Sequence, residues 1–175
     1  MHDYRENEIV EWYTQFNQTI FKFILLMVKD YQQAEDLTHE TFVKAYKYHH
    51  TFKRDSSVKT WLFSVAHNVT IDYIRKQKPI RLFKEVFTSK KDPNPLPEQI
   101  VQMKESSLEL YEALANLKES YREVIILRKI KGFSIEETSK ILDWTESKVK
   151  STLNRALPAL EKQLSKEGFV YEQTK

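Results

Sequence analysis

Hydrophobic positions recur at steps of three and four residues along most of the chain, which is the spacing of one face of an α-helix. The first such stripe runs from about Asn7 to Val28 and is wide enough to require burial on more than one side. Two further stripes, from about Gln32 to His50 and from Val58 to Lys76, follow after short polar segments. Three helices with short connections predict a helical bundle with a modest core.

The helical pattern breaks between residues 77 and 97. Lys78 precedes a proline, which disfavours helix at that position, and the segment Pro93–Pro97 holds three more prolines. We therefore expect a linker that is extended near its prolines. Its apolar residues Phe83, Val86 and Phe87 indicate that a short stretch docks or becomes helical, and the composition does not decide which.

Helical spacing resumes near Glu98 and continues to Leu117, and a second stretch runs from Lys118 to Lys131, after which Gly132 supplies a C-terminal stop. Ser134 and Glu137 have the spacing of a capping box, which predicts a short helix from Ile135 to Leu142. A turn at Asp143–Thr145 precedes a final helix that runs to about Leu164.

These patterns predict an all-α fold. We expect an N-terminal helical bundle domain over residues 1–76 and a C-terminal helix-turn-helix domain over residues 98–175, joined by a flexible linker over residues 77–97. The composition agrees, because 2 glycines and 5 prolines supply too few turns for a β-sandwich or a doubly wound α/β fold.

The same composition excludes several kinds of site. Two glycines cannot build a glycine-rich phosphate loop, and the absence of cysteine excludes disulfides, thiolate metal sites and a cysteine nucleophile. The five histidines lack the spacing of a metal motif, and no G-x-S-x-G sequence is present. We expect no catalytic residues, no metal and no cofactor, so the chain binds rather than catalyses.

The sequence also predicts a cytoplasmic protein without direct membrane insertion. No apolar run approaches the roughly 20 residues that span a bilayer. The segment Met1–Glu8 is acidic and polar, unlike a signal peptide.

The formal net charge of +3 is unevenly distributed. Residues 1–43 carry 3 Lys/Arg against 8 Asp/Glu, residues 44–91 carry 12 against 3, and residues 92–175 carry 13 against 14. The resulting net charges of −5, +9 and −1 predict a polyanionic partner for the middle of the chain and another partner elsewhere. A solvated basic face with a basic linker is the alternative.

The strongest local motif covers residues 134–157, where two helices joined by a short turn form a helix-turn-helix pattern. The second helix places short polar and basic side chains on one side: Ser147, Lys148, Lys150, Ser151, Asn154 and Arg155. Its opposite, apolar side comprises Val149, Leu153, Ala156 and Leu157. Such a division suits a helix that reads the major groove of DNA, although an ordinary amphipathic hairpin has it too.

Residues 53–78 interleave aromatic rings with cations and with side chains that can contact bases. This composition suits single-stranded nucleic acid, since bases stack on rings while cations neutralise phosphates. The alternative is that the rings belong to the core. The candidate DNA contacts are Lys53, Trp61, His67, Asn68, Asp72, Arg75 and Lys76.

Three segments in order resemble one family. Ala34–Tyr46 resembles the core-polymerase-binding segment of bacterial extracytoplasmic-function (ECF) sigma factors. Thr60–Asn68 with Asp72–Lys76 is similar to their promoter-melting helix, which reads the −10 element. Residues 113–156 resemble their second domain, which reads the −35 element, and the resemblance covers about residues 9–165.

The resemblance implies roles for particular residues. The clamp of RNA polymerase core would contact Asp36, His39, Glu40, Phe42 and Lys44. The loop Lys53–Ser57 and the following helix would hold the melted −10 strand, and the last helix would read the −35 major groove of promoter DNA. The linker would run through the channels of the polymerase. The sequence departs from the family at His67, where members often have Arg, and at His39, where Gln is usual.

The resemblance therefore predicts a sigma factor that binds RNA polymerase core and directs promoter-specific initiation. It also implies an anti-sigma partner, which is commonly membrane-anchored in this family. Two other classes remain open from the residues: a stand-alone helix-turn-helix repressor or activator that dimerises through residues 1–76, and an anti-sigma or adaptor decoy that lacks the DNA contacts.

Overall fold

The computed structural model of the chain describes residues 2–87 and 105–166, and every regular element within those ranges is helical. The all-α prediction is therefore confirmed. The chain divides into two compact units, Met1–Leu96 and Pro97–Lys175, each with its own core.

The first unit is a bundle of three helices that all contact one another. Helix α1 spans His2–Val28, α2 spans Tyr31–Lys47, and α3 spans Val58–Phe87, with a 3₁₀ turn at His49–Thr51 between the last two. The apolar stripes predicted from the sequence meet in the centre. Large side chains that are fully buried there include Ile20, Phe23, Ile24, Met27, Leu62 and Phe63.

Polar side chains fix where these helices begin. Asp30 Oδ1 accepts a hydrogen bond from the backbone amide of Gln33 at 3.0 Å, which caps α2. Ser57 Oγ accepts one from the amide of Thr60 at 3.1 Å, so Ser57 caps α3. The position of the loop before α3 is thereby tied to the first turn of that helix.

Helix α3 extends beyond the end at Lys76 that the sequence predicted. It continues through Pro79 to Phe87, so the first part of the expected linker is helical. Pro79 has no amide hydrogen and removes the helical hydrogen bond to the carbonyl of Arg75, which is why the local rule favoured a break there. Residues 88–104 lie outside the described residues, and the rest of the predicted linker is among them.

Four α-helices are described in the second unit, between residues 105 and 166. Helix α4 spans Glu105–Ala115, α5 spans Glu119–Ile125 and continues into a π-helical turn at Ile126–Ile130, α6 spans Ile135–Leu142 and α7 spans Glu146–Lys166. Helix α7 packs on α4, α5 and α6. The buried centre includes Leu114, Val124, Ile125, Ile126, Leu127, Ile141, Val149 and Ala156.

Two predicted turn features of this unit are confirmed. Ser134 Oγ accepts from the amide of Glu137 at 3.0 Å, and the Glu137 carboxylate accepts from the amide of Ser134 at 2.7 Å, which completes the capping box of α6. Gly132 has a φ of +76°, the left-handed conformation expected of a helix stop.

Candidate nucleic-acid and polymerase interfaces

The turn between α6 and α7 sets the angle of the helix-turn-helix. Asp143 adopts a left-handed conformation with φ 55° and ψ 46°, and its amide donates to the Ser139 carbonyl. A left-handed residue is disfavoured unless it is Gly, Asn or Asp, so the residue type suits the position. Thr145 Oγ1 then accepts from the amide of Lys148 at 3.1 Å and caps α7.

Helix α7 separates its polar and apolar sides as the sequence predicted. All six candidate DNA contacts are exposed: Ser147, Lys148, Lys150, Ser151, Asn154 and Arg155. On the opposite side Val149 and Ala156 are completely buried, while Leu153 and Leu157 are half-buried. The polar face is thus held outward by core packing of the same helix.

Cations lie near the start of this polar face. The Lys148 ammonium lies 4.2 Å from the centroid of the Trp144 ring, a cation–π contact that keeps it beside the first turn of α7. Arg155 Nε donates to the Ser151 carbonyl at 3.3 Å, which aligns its guanidinium along the helix. The amino-terminal end of a helix carries free amides and a partial positive charge, so this end of α7 attracts phosphate.

In the first unit, α3 presents a second polar surface. Asn68, Asp72, Arg75 and Lys76 are exposed, and Asp72 lies three or four positions from each of the other three, so they share one side of the helix. His67, which the polarity pattern placed with the outward side chains, is 8% exposed and faces the bundle core, so its outward placement was wrong. It lies one helical step, about 100°, from Asn68, and a pattern drawn from polarity alone counted it with its polar neighbours.

The loop before α3 rests on a cluster of rings. Trp61 is half-buried and lies 5.3 Å from Phe52 and 5.9 Å from Trp12 between ring centroids. Trp12 stacks on His49 at 5.3 Å and meets Phe52 edge-on at 5.7 Å. The packing of Trp61 agrees with the core interpretation of these rings, and part of its side chain stays accessible. Lys53 is exposed in this loop.

A carboxylate that the sequence did not single out joins this loop to α1. Glu8 Oε2 lies 2.6 Å from Nε2 of His49, and Glu8 Oε1 accepts from Arg54 at 2.8 Å. Burial alone would raise the pKa of Glu8, but the hydrogen bonds and positive charges of its partners outweigh burial and hold the pKa below its ordinary value. The partners are separated from Glu8 by more than 40 positions, so no local pattern could have revealed them.

Helix α2 carries the predicted polymerase-binding residues on its outer side. Asp36, His39 and Glu40 are exposed, and Lys44 is half-buried with its ammonium 3.3 Å from a Glu40 carboxylate oxygen. Phe42 is different, because it is 6% exposed and packs edge-on against Tyr13 of α1 at 4.9 Å between centroids. Phe42 therefore packs beneath the exposed side of α2 and is not part of its accessible surface.

An apolar groove between α1 and α2 continues the same surface. Val10 and Val43 are 63% and 66% exposed on its two sides, and His39 lies at its edge. The wide apolar face of α1 indicated a second buried side, and it did not show that the two helices form a groove. Its other lining residues are Glu6, Ile9, Tyr13, Phe42 and Tyr46.

Within the described ranges, no group of three or more histidine, aspartate or glutamate side chains is arranged to hold a metal ion. No helix in those ranges is long and apolar enough to cross a membrane.

Comparisons with known proteins match both units in chain order. The family models for Sigma-70 region 2 and Sigma-70, region 4 match residues 12–80 and 107–160. The ECF RNA polymerase sigma factor SigX of Bacillus subtilis (strain 168) is 41% identical over 157 residues, which cover 87% of this chain and 81% of that protein. SigM of the same organism is 38% identical over 157 residues, covering 87% and 93%.

A solved structure shares the fold. The sigma factor RpoE from Bartonella quintana, crystallised with the anti-sigma factor NepR, aligns with a TM-score of 0.73 at 24% identity and covers 90% of this chain and 97% of that one. CnrH in complex with the cytosolic domain of CnrY aligns with a TM-score of 0.68 at 20% identity, covering 91% and 89%.

Proposed function

We propose how promoter recognition is divided between the two units, starting from the fact that this chain belongs to the ECF family of RNA polymerase sigma factors. Members of this family recognise promoters for RNA polymerase in transcription initiation and are not enzymes. The predictions of a sigma factor and of a protein that binds without catalysing a reaction are therefore confirmed. The repressor and decoy alternatives are set aside for the same reason.

The residue assignment for the −35 element rests on α7. We propose that its amino-terminal half enters the major groove, where Ser147 and Asn154 contact base edges. Lys150 and Arg155 contact phosphates that fix the register of the helix on the duplex. The observation that carries this assignment is the exposure of all six polar residues on a helix whose opposite side is buried in the core.

The −10 element is assigned to α3 and the loop before it. We propose that Lys53 and the exposed part of Trp61 receive the melted strand. The side of α3 formed by Asn68, Asp72, Arg75 and Lys76 follows the strand onward. Asp72 has an acceptor-only side chain, so its partner would be a base amino group, since a phosphate would repel it. His67 is buried beneath this surface, so we propose that it supports the surface by packing and does not contact DNA directly.

The polymerase core is assigned to α2. Asp36, His39, Glu40 and Lys44 would contact the clamp, and the adjoining groove would take an apolar part of the same partner. We expect Asp36→Arg to abolish association with core polymerase, because a charge reversal in an exposed contact adds repulsion and leaves the bundle core untouched. Surface plasmon resonance with immobilised core measures the association, and an unchanged circular dichroism melt controls for folding. A complex of unchanged affinity would contradict the assignment.

The remaining expectations concern domains, partners and place. We propose the division into residues 1–76, 77–97 and 98–175, an anti-sigma partner, and action in the cytoplasm, where polymerase and chromosome meet. The RpoE structure supports such a partner, because RpoE was crystallised in complex with the anti-sigma factor NepR.

Transcription from genomic DNA tests the proposed function directly. Purified chain, core polymerase and a pool of genomic fragments should give transcripts that start at a small set of shared sequence elements, identified by sequencing the 5′ ends. Core polymerase alone should give none of these starts. If no start site depends on the chain, the proposed function is wrong.

A further inference from the structure

One carboxylate holds both ends of a six-residue segment. Glu8 on α1 contacts His49 at 2.6 Å through one oxygen and Arg54 at 2.8 Å through the other, and its side chain is only 13% exposed. These two partners begin and end residues 49–54, which lead from α2 into the loop Lys53–Ser57. A single residue of α1 thus constrains the path of the chain into that loop.

The segment has a conformation that requires support. Arg54 adopts a φ of +60°, the left-handed region that is disfavoured for a residue with a long side chain. The 3₁₀ turn supplies backbone hydrogen bonds from Thr51 and Phe52 to the carbonyls of Tyr48 and His49, and ring contacts add further support. Trp12 stacks on His49 and meets Phe52, and the Arg54 guanidinium lies 5.8 Å from the centroid of the Phe52 ring. Two side chains of α1, one apolar and one charged, therefore brace the same segment.

We propose that Glu8 is a positioning residue for capture of the −10 strand. This inference rests on the proposed function, in which Lys53 and Trp61 receive the strand. A loop that is already ordered loses less conformational entropy when it binds, so its affinity is higher. By fixing both His49 and Arg54, Glu8 keeps the loop in its binding arrangement before DNA arrives.

Electrostatics alone predicts the opposite effect of removing Glu8. A negative charge beside a strand of phosphates opposes binding, and its loss would leave Arg54 available to a phosphate. Glu8→Gln should then bind the strand more tightly. The positioning role predicts weaker binding. The sign of the change therefore separates the two explanations.

Glu11→Gln is a matched control, because Glu11 lies one turn along α1 and is exposed, and the substitution removes the same charge. Holoenzyme is assembled from core polymerase and each full-length variant, and anisotropy of a fluorescein-labelled −10 strand from a mapped promoter measures affinity at fixed salt. We expect Glu8→Gln to weaken binding about tenfold. Glu11→Gln should match the wild type or bind slightly more tightly. Equal or tighter binding by Glu8→Gln overturns the inference.

A second measurement does not involve DNA. Amide hydrogen exchange of residues 50–57 in the free chain should be about tenfold faster in Glu8→Gln than in Glu11→Gln, measured at amides that exchange by local opening without unfolding of the bundle. Unchanged exchange in the loop overturns the inference. Lys53→Ala and Trp61→Ala separate it from the proposed function. If they weaken strand binding and Glu8→Gln does not, the inference alone fails; if they bind like the wild type, the −10 assignment fails and the inference fails with it.

Discussion

At the scale of single residues, substitutions on the exposed side of α7 should distinguish a residue that contacts phosphate from one that contacts a base. Lys150→Ala should weaken binding to −35 duplexes evenly across sequences and lower the slope of log affinity against log salt by about 1, because one phosphate contact is lost. Asn154→Ala should change which sequence is preferred, by about 1–3 kcal/mol of discrimination. Electrophoretic mobility shifts of holoenzyme on a panel of −35 variants, at several salt concentrations, measure both.

The control for these variants is Lys162→Ala, which removes an exposed cation three turns further along α7. It should leave both the slope and the preference unchanged. A sequence-specific effect of Lys150→Ala would contradict its assignment to phosphate.

Glu8 has a pH dependence whose direction follows from its lowered pKa. A carboxyl group that ionises more readily in the folded state stabilises the fold above its ordinary pKa of 4.5, and this contribution is lost as the pH falls through the folded-state pKa. We expect Glu8→Gln to reduce the free energy of unfolding of the first unit by about 1–3 kcal/mol at neutral pH and by progressively less in acid. Urea unfolding at a series of pH values measures this difference. A difference that grows in acid would contradict the pairing.

Single residues also mark the limit of the sequence interpretation. The exposed positions of α7 followed from helical period and polarity, since both are local. His67 was placed outward because neighbours on a helix differ by only about 100° in direction, so the polarity pattern counted it with Asn68. Phe42 was named through the resemblance, and the structure buries it. Glu8 was missed because its partners become neighbours only after the bundle has formed.

At the scale of secondary-structure elements, the start of α6 depends on one reciprocal cap. Ser134→Ala removes the acceptor for the Glu137 amide and should destabilise the second unit by about 1 kcal/mol. The midpoint of urea unfolding, followed by circular dichroism, measures the loss. Ser139→Ala is the comparison, because Ser139 lies inside the same helix and its hydroxyl bonds only to a preceding carbonyl. If Ser134→Ala and Ser139→Ala lower the stability equally, the capping hydrogen bond of Ser134 adds no stability of its own.

The ends of elements were predicted well where a local signal matches the structure, and poorly at Pro79, where the helix continues past the signal. Ser134, Gly132 and Asp143 are local signals, and the structure uses each as expected. The end of α3 was placed too early because a proline in a sequence favours a break, whereas a helix can continue past it with one hydrogen bond missing. The groove between α1 and α2 could not be predicted, since it depends on the angle between two helices.

At the scale of the whole molecule, the two cores should unfold as separate transitions. Each unit buries its own apolar residues, so a destabilised core in one unit lowers the stability of that unit. Phe63→Ala should lower the free energy of unfolding of the first unit by about 3–5 kcal/mol. Ile126→Ala should lower that of the second unit by about 2–5 kcal/mol. Calorimetry of the full chain measures both, with hydrogen exchange to assign each transition. A single transition shifted equally by both variants would contradict this independence.

Pro79 gives α3 a mechanical property. A helix bends most easily where a backbone hydrogen bond is missing, and in α3 that place follows Arg75 and Lys76 by about one turn. We therefore expect tension on the chain beyond Phe87 to bend α3 near residue 79 before it displaces Asn68 and Asp72. The proline would then act as a compliant joint that protects the proposed −10 surface from strain.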